Sequence, residues 1–211
     1  MKGVYQVPKV SQEYSEARRR QIIDAAYQCF ARKGFHQTTM RDIYDEANLS
    51  PGAVYHYFAS KDDIIQASFD FDYQRSRDVF DAAQASDDPL RALHDLLDFF
   101  LQGLREAVGL GAGRVNVQGW GEALVNPQVG NTIRAVMDSY VEALAPVVRQ
   151  AQAARHLDAS LDPIAVSRLL LSLYYGLELQ LSLNPDVNVD HYAAAAKALI
   201  RSSSPRAETG P

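Results

Sequence analysis

The chain predicts an all-α protein, a small N-terminal helical unit followed by a larger helical body. Three observations carry that expectation. Apolar side chains recur at spacings of three and four along almost the whole chain and almost nowhere alternate as a half-buried strand requires. Proline and glycine stand where helices begin and end, as at Gly34, Pro51, Asn126-Pro127, Asp162-Pro163 and Asn184-Pro185. Apolar residues make up 47% of the 211, enough to fill a core. No apolar run approaches the roughly 20 residues that cross a bilayer.

Residues 1–14 hold Pro8 and no clear period and read as a flexible arm; residues 205–211, PRAETGP, read as a disordered tail. The first helix is expected from about Ser15 to Lys33, with Ile22, Ala26 and Phe30 on one stripe, joined by Ile23 and Tyr27. Gly34 suits a left-handed cap, after which Phe35 tucks back toward that stripe. A short second helix follows Thr39, which can cap it, with Asp42 at the third helical position in a capping-box-like spacing. Its inner face is Met40, Ile43 and Ala47, and Asn48 and Leu49 turn the chain. Ser50 caps a third helix, expected to end near Phe58, and Pro51 occupies its first turn, where no amide donor is missed. Ser60 caps a long fourth helix whose first turn carries Asp62 and Asp63, favourable to its dipole, and whose inner face is Ile65, Phe69 and Tyr73. SDDP at 86–89 breaks the pattern, and helices follow at about 89–106, 115–124, 128–155, 163–183 and 188–201. Pro146 should kink the longest of them. GLGAG at 109–113 follows a helix rather than a strand, so it reads as a flexible joint and not as a dinucleotide phosphate cradle.

The second and third helices, joined by Asn48, Leu49 and Ser50, have the pattern of a helix-turn-helix, whose second helix enters the major groove of DNA. That groove is about 12 Å wide and admits one helix. With Val54 and Phe58 facing inward and Tyr57 on the flank, Tyr55 and His56 lie on other sides, within phosphate-contact reach. Pro51, Gly52 and Ala53 are small, which permits close approach to base edges, and two of them offer apolar contact to a thymine methyl. The Ser50 hydroxyl can meet a phosphate. Thr38, Thr39 and Arg41 open the second helix, where the flanking backbone would pass, and Lys61 adds a mobile positive charge. Each residue alone has an ordinary structural reading; the ordered combination favours DNA. The charge distribution agrees. Through Lys61 there are nine Lys/Arg against six Asp/Glu, or +3; from Asp62 onward there are twelve against twenty, or -8.

From Gln21 to Phe69 the sequence resembles the DNA-binding domain of the TetR family of bacterial transcriptional regulators. The likeness runs through AAYQCFARKGF, TTMRDIYDEANLS, GAVYHYF and SKDD. It implies an all-helical homodimer with an N-terminal three-helix DNA-binding unit and a divergent C-terminal domain for effector binding and dimerisation. It would set Thr39, Met40 and Arg41 against DNA at the start of the second helix. Ser50, Pro51, Gly52, Ala53, Tyr55 and His56 would form the reading surface, and Lys61 would reach a phosphate. The family often has a bulkier polar residue where Pro51 or Ala53 stands, so few direct base hydrogen bonds are implied. Beyond Phe80 the resemblance rests on helical layout alone.

The expected division is a DNA-binding domain over 15–60 and a ligand-binding and dimerisation domain over 61–204. The helix at 163–183 is apolar on more than one side, with Val166, Leu169, Leu170, Leu173, Leu177 and Leu181 in one broad stripe, and must bury more than one side. Paired with the alanine-rich helix at 188–201, it predicts a two-fold four-helix bundle between subunits. Two heads would then read a palindromic double-stranded operator. Phe99, Phe100, Trp120, Met137, Tyr140, Tyr174 and Tyr175 are candidate walls of an effector pocket, with Asn116, Gln118, Glu122 and Glu178 as polar contacts. The expected mechanism is repression relieved by a small apolar or amphipathic molecule; its sign comes from the resemblance.

Other classes find less support. No G-x-S-x-G elbow, H-E-x-x-H, Walker loop or paired-cysteine site appears, and the five histidines do not cluster, so no catalytic residue, metal or cofactor is expected. Cys29 stands alone, which rules out an internal disulfide, and reads as a small buried side chain. The N-terminus lacks an apolar signal segment, and a soluble cytoplasmic protein is expected, with no membrane partner. The alternative is a helical structural or protein-interaction protein that binds DNA only weakly and without sequence preference.

Overall fold

The computed structural model describes residues 12–110 and 112–202. Among them lie α1 (Gln12–Lys33), α2 (Met40–Glu46), α3 (Pro51–Tyr55), α4 (Lys61–Gln84), α5 (Pro89–Leu110), α6 (Ala112–Ala123), α7 (Pro127–Ala153), α8 (Pro163–Leu183) and α9 (Val189–Ser202), and no strand. The chain divides into two compact units, one through Ala67 and one from Ser68, so the division falls inside α4. Most of the expected arm and all of the expected tail lie outside the described residues.

In the first unit α1 starts at Gln12 rather than Ser15, and residues 12–14 are helix rather than arm. Pairs one turn apart extend it: Gln12 Nε2 donates to Glu16 Oε1 at 3.0 Å, and Arg18 Nε to the Tyr14 hydroxyl at 2.9 Å. Ile22, Ile23, Ala25, Ala26, Cys29 and Phe30 are buried. Gly34 ends the helix at φ 79°, where a side chain would be strained, and its amide donates to Phe30 O at 2.8 Å. Phe35 returns onto Phe30 with ring centroids 5.3 Å apart.

The capping box of α2 is complete. Thr39 Oγ1 accepts from Asp42 N at 3.2 Å, and Asp42 Oδ2 accepts from Thr39 N at 2.8 Å. Asn48 makes the turn at φ 51°, which its short amide side chain tolerates. Gln21 Nε2 donates to Ala47 O at 2.8 Å, fastening α1 to the end of α2. Ser50 caps α3 through Ala53 N at 3.2 Å, with Pro51 just inside. The helix is shorter than expected, ending at Tyr55. It closes in turns, with Tyr57 N and Phe58 N each 3.0 Å from Val54 O. Val54 and Phe58 are 0% and 2% exposed, so α3 hangs from the core by these two side chains.

In the second unit the residues before Pro127 and Pro163 cap the helices that follow. Asn126 and Asp162 accept from the first free amides of α7 and α8, and Pro127 and Pro163 follow at the start. One core gathers Phe80, Leu93, Leu96, Leu144, Val147, Val148 and Ala151 from α4, α5 and α7. A second joins Leu101, Leu104, Leu177, Leu181 and Ala193 from α5, α8 and α9. Gln84 Nε2 donates to Ala143 O at 3.0 Å and Gln150 Nε2 to Gln84 O at 2.9 Å, tying the end of α4 to α7. Of the expected joint at 109–113, four residues fall in helices. Residues 109 and 110 end α5, residues 112 and 113 begin α6, and Gly111 lies outside the described residues. Pro146 lies inside a continuous α7. A Cβ on Gly130 would stand 2.6 Å from Ala123 O, so only glycine lets α7 start so close to the end of α6.

Candidate DNA-reading surface and interior cavity

The first unit presents the outer side of α2 and α3. Thr39, Arg41, Ser50, Pro51, Gly52, Tyr55 and His56 are exposed there; Met40 and Ala53 are half-buried. A Cβ on Gly52 would meet nothing within 4 Å, so the protein itself does not demand glycine at that position. Tyr55 is 51% exposed, and His56 stands edge-on to Tyr57 with centroids 5.0 Å apart. Thr39 and Ser50 use their hydroxyls as caps, which fixes the starts of both helices.

Two expectations need correction. Thr38 is 1% exposed and its hydroxyl donates to Gly34 O at 2.8 Å; the turn after α1 encloses it, so it belongs to the core and not to the reading surface. Lys61 is not a mobile charge. Its ammonium donates to Phe35 O at 2.9 Å and lies 4.6 Å from the centre of the Phe35 ring. Sequence reasoning did not single out Arg19, whose guanidinium lies 4.7 Å from the centre of the Phe58 ring. Its signal was the arginine run at 18–20, which periodicity alone could not orient.

The other cations of this unit are mostly paired. Arg32 bonds Glu46, Lys33 bonds Asp42, and Arg41 stands 3.7 Å from Asp45. The Lys33 hydrogen bond, with those from Thr39, holds the Asp42 carboxyl well below the ordinary carboxylate range. Exposed pairs of this kind contribute little, so a phosphate can compete for any of these cations. Burial raises the Cys29 thiol above its usual value and keeps it protonated, as a packing side chain would be.

The second unit holds a cavity of about 60 Å³ lined by Phe100, Asn116, Trp120, Ile133, Val136, Met137, Tyr140, Leu171, Tyr174, Tyr175 and Glu178. Six of the seven predicted wall residues are there. Phe99 is not; it is 38% exposed and lies against the outer side of Phe100 with ring centroids 5.4 Å apart. Of the polar candidates Asn116 and Glu178 line the cavity, whereas Gln118 and Glu122 do not. Ile133, Val136 and Leu171 were not foreseen, because an aliphatic wall residue has the same helical spacing as a core residue.

Asn116 Nδ2 donates to Glu178 Oε1 at 2.6 Å, and Glu178 is 2% exposed. Gly113 lies close to α8 beside this pair. A Cβ there would stand 2.7 Å from Ser182 Oγ, a hydroxyl that can rotate away. The rings form a continuous series of edge-to-face contacts: Trp120 on Tyr175, Tyr175 on Tyr174, Tyr174 on Phe100, Phe100 on Tyr140 and Tyr140 on Tyr73, at 5.1 to 5.7 Å. Burial, with Tyr140 and Glu178 beside it, pushes the Tyr175 phenol above its ordinary value, so it is a neutral hydroxyl at physiological pH. Among the described residues no cluster of histidine, cysteine and carboxylate side chains has the form of a metal site, and no helix is long and apolar enough to cross a membrane.

Comparison with known proteins agrees with this architecture. Residues 22–68 match the bacterial regulatory proteins of the tetR family, and residues 89–204 match the C-terminal domain of BetI-type transcriptional repressors. The HTH-type transcriptional regulator UidR of Escherichia coli K12 is 28% identical over 193 residues, 90% of this chain and 94% of that protein. The HTH-type transcriptional repressor KstR2 of Mycobacterium tuberculosis is 36% identical over 84 residues, 38% of this chain and 40% of that protein. The structure of Salmonella enterica GusR superposes with a TM-score of 0.75 at 26% identity, covering 93% of this chain and 98% of that one. The helix-turn-helix unit and the helical body are thus both matched, and the chain belongs to the TetR family of helix-turn-helix transcriptional regulators.

Proposed function

We propose that the protein is a homodimeric repressor that holds a palindromic operator through two copies of α3 and lets it go when a small molecule occupies the cavity of the second unit. The observation that carries this reading is the division of α3. Val54 and Phe58 lock it inward, while Pro51, Gly52, Tyr55 and His56 stay open. Small side chains at its start allow the backbone close to base edges. Thr39, Arg41, Tyr55 and His56 supply phosphate contacts. Arg19 and the two remaining N–H bonds of Lys61 extend that set toward the flanking backbone.

Dimerisation follows from the outer faces of α8 and α9. Ala165, Leu169, Ser172, Gly176, Leu179 and Leu183 recur at alternating spacings of four and three, a helix-pairing seam. Leu169, Leu179 and Leu183 are 63%, 41% and 79% exposed in the single subunit. A Cβ on Gly176 would meet nothing within 4 Å, so the middle of the seam is open to a partner helix. On α9, Ala194, Ala195, Ala198 and Leu199 are exposed in the same way. Paired heads about 34–36 Å apart would enter successive major grooves on one side of a duplex.

Release rests on size. Small-molecule pockets run to about 300–1,000 Å³. The cavity of about 60 Å³ holds a few waters, so an effector enters only by displacing its walls. One wall is Tyr140, whose ring meets Tyr73 of α4 at 5.1 Å, while Tyr73 Oη lies 3.5 Å from Ser139 O. Effector and operator then oppose each other through α4, each lowering the affinity of the other by the same factor.

The test is selection of genomic fragments by the purified protein, followed by fluorescence anisotropy on the selected duplex. The combined Tyr55→Ala and His56→Ala variant should bind it at least tenfold more weakly, with a shallower salt dependence. Equal affinity of the variant, or equal binding to random duplex, would overturn the reading.

A further inference from the structure

We infer that α6 is the gate of the cavity, a wall helix that opens by local unfolding while α5, α7 and α8 stay folded around it. The inference rests on the ligand-released reading above and names the route into that same site. Three observations converge.

First, α6 is weakly helical by composition. Gly113, Gly119 and Gly121 fall within its 12 residues, whereas α7 has one glycine in 27 and α8 one in 21. Each glycine lowers the helical population of its site about fourfold to fivefold relative to alanine. Val115 and Val117, stiff at χ1, and Asn116, which favours turns, weaken the helix further. Its first turn carries Arg114 and no acid, and its last turn no base, so neither end suits the helix dipole. Packing does not demand the glycine at 121, where a Cβ would meet nothing within 4 Å.

Second, burial offsets little of this weakness. Among the described residues Val115 is the one buried apolar side chain of α6, whereas α7 buries Ile133, Val141, Leu144, Val147 and Val148. Neither of the two cores described above draws on α6. Segments with few buried apolar contacts open at less cost than the core beside them.

Third, α6 lies where an opening is needed. Asn116 and Trp120 line the cavity, and the other walls come from helices of 21 to 27 residues. An occupant larger than about 60 Å³ must displace a wall, and α6 is the wall whose displacement breaks least. Its unfolding parts Asn116 from Glu178 and Trp120 from Tyr175, and leaves both cores intact.

The test is native-state hydrogen exchange, read by mass spectrometry on the intact, ligand-free protein at pH 7. The amides of α6 should exchange at least tenfold faster than those of residues 144–148 and 177–181. Gly121→Ala fills an open site and should slow exchange in α6 about fourfold to fivefold. Gly103→Ala, at an equally open site on α5, should leave exchange in α6 unchanged. Protection of α6 equal to that of α8, no slowing in Gly121→Ala, or equal slowing in Gly103→Ala would overturn the inference. These readouts need neither operator nor effector. Failure of every small molecule to release the duplex would sink the ligand-released reading and leave the opening of α6 standing, whereas uniform protection with release intact would sink only the gate.

Discussion

Replacing Leu169 by alanine tests the assembly on which operator reading depends. Leu169 is 63% exposed in the single subunit and lies near the start of the seam on α8. Full burial of a leucine side chain is worth about 1.5–3 kcal/mol, so covering its exposed part recovers about 1–2 kcal/mol per copy. Two-fold symmetry counts it twice. Because alanine keeps the β-carbon, the dimer should lose about 2–3 kcal/mol, a rise in dissociation constant of about 30- to 150-fold. The subunit itself gives up little, since the lost atoms already face solvent. Sedimentation velocity over a dilution series would measure the first effect, and thermal melting below the dissociation constant the second. An unchanged dissociation constant would refute the seam. A monomer melting several degrees lower would show instead that Leu169 serves the subunit's own packing.

Other substitutions probe the local arguments. Gly52→Ala should leave stability unchanged or slightly raised, because the site is open and alanine is the better helix former, yet should weaken duplex binding if the helix start approaches the bases. Melting and anisotropy together separate those outcomes. Gly130→Ala should destabilise by about 1–3 kcal/mol, since its Cβ would stand 2.6 Å from a backbone oxygen that cannot rotate away. Thr39→Ala removes the α2 cap and should cost about 0.5–2 kcal/mol in denaturant unfolding. Asp42 has a depressed carboxyl in the folded state, so its contribution is complete above the ordinary carboxylate range, near about 4, and is lost as pH falls through the still lower folded value. Asp42→Asn should therefore flatten the acid limb of the stability curve and leave the slope near neutrality unchanged.

Short-range chemistry was legible in the chain. Gly34 as a left-handed cap, the Thr39–Asp42 box, Ser50 before Pro51, and the Asn-Pro and Asp-Pro starts of α7 and α8 all depend on residues within one turn of each other. The inward pair Val54 and Phe58 was readable from helical period, and with it the outward set on α3. The cavity walls were readable only where they were aromatic, because aromatic size marks a candidate and aliphatic spacing does not. Phe99 and Phe100 show the limit. Adjacent residues on a helix point about 100° apart, and nothing local says which of two phenylalanines will face the void.

What the sequence by itself determined is the order of helices, their caps and the identity of the helix-turn-helix, all set by interactions a few residues long. The tertiary structure decided the rest, through contacts between residues far apart in the chain. It enclosed Thr38 under the turn at Gly34 and drew the Lys61 ammonium onto Phe35 O. It stacked Arg19 on Phe58 and set Asn116 against Glu178, 62 positions away. Such pairings are fixed by which surfaces pack together, and a polar side chain carries no local sign of whether its partner will be water, backbone or another buried group.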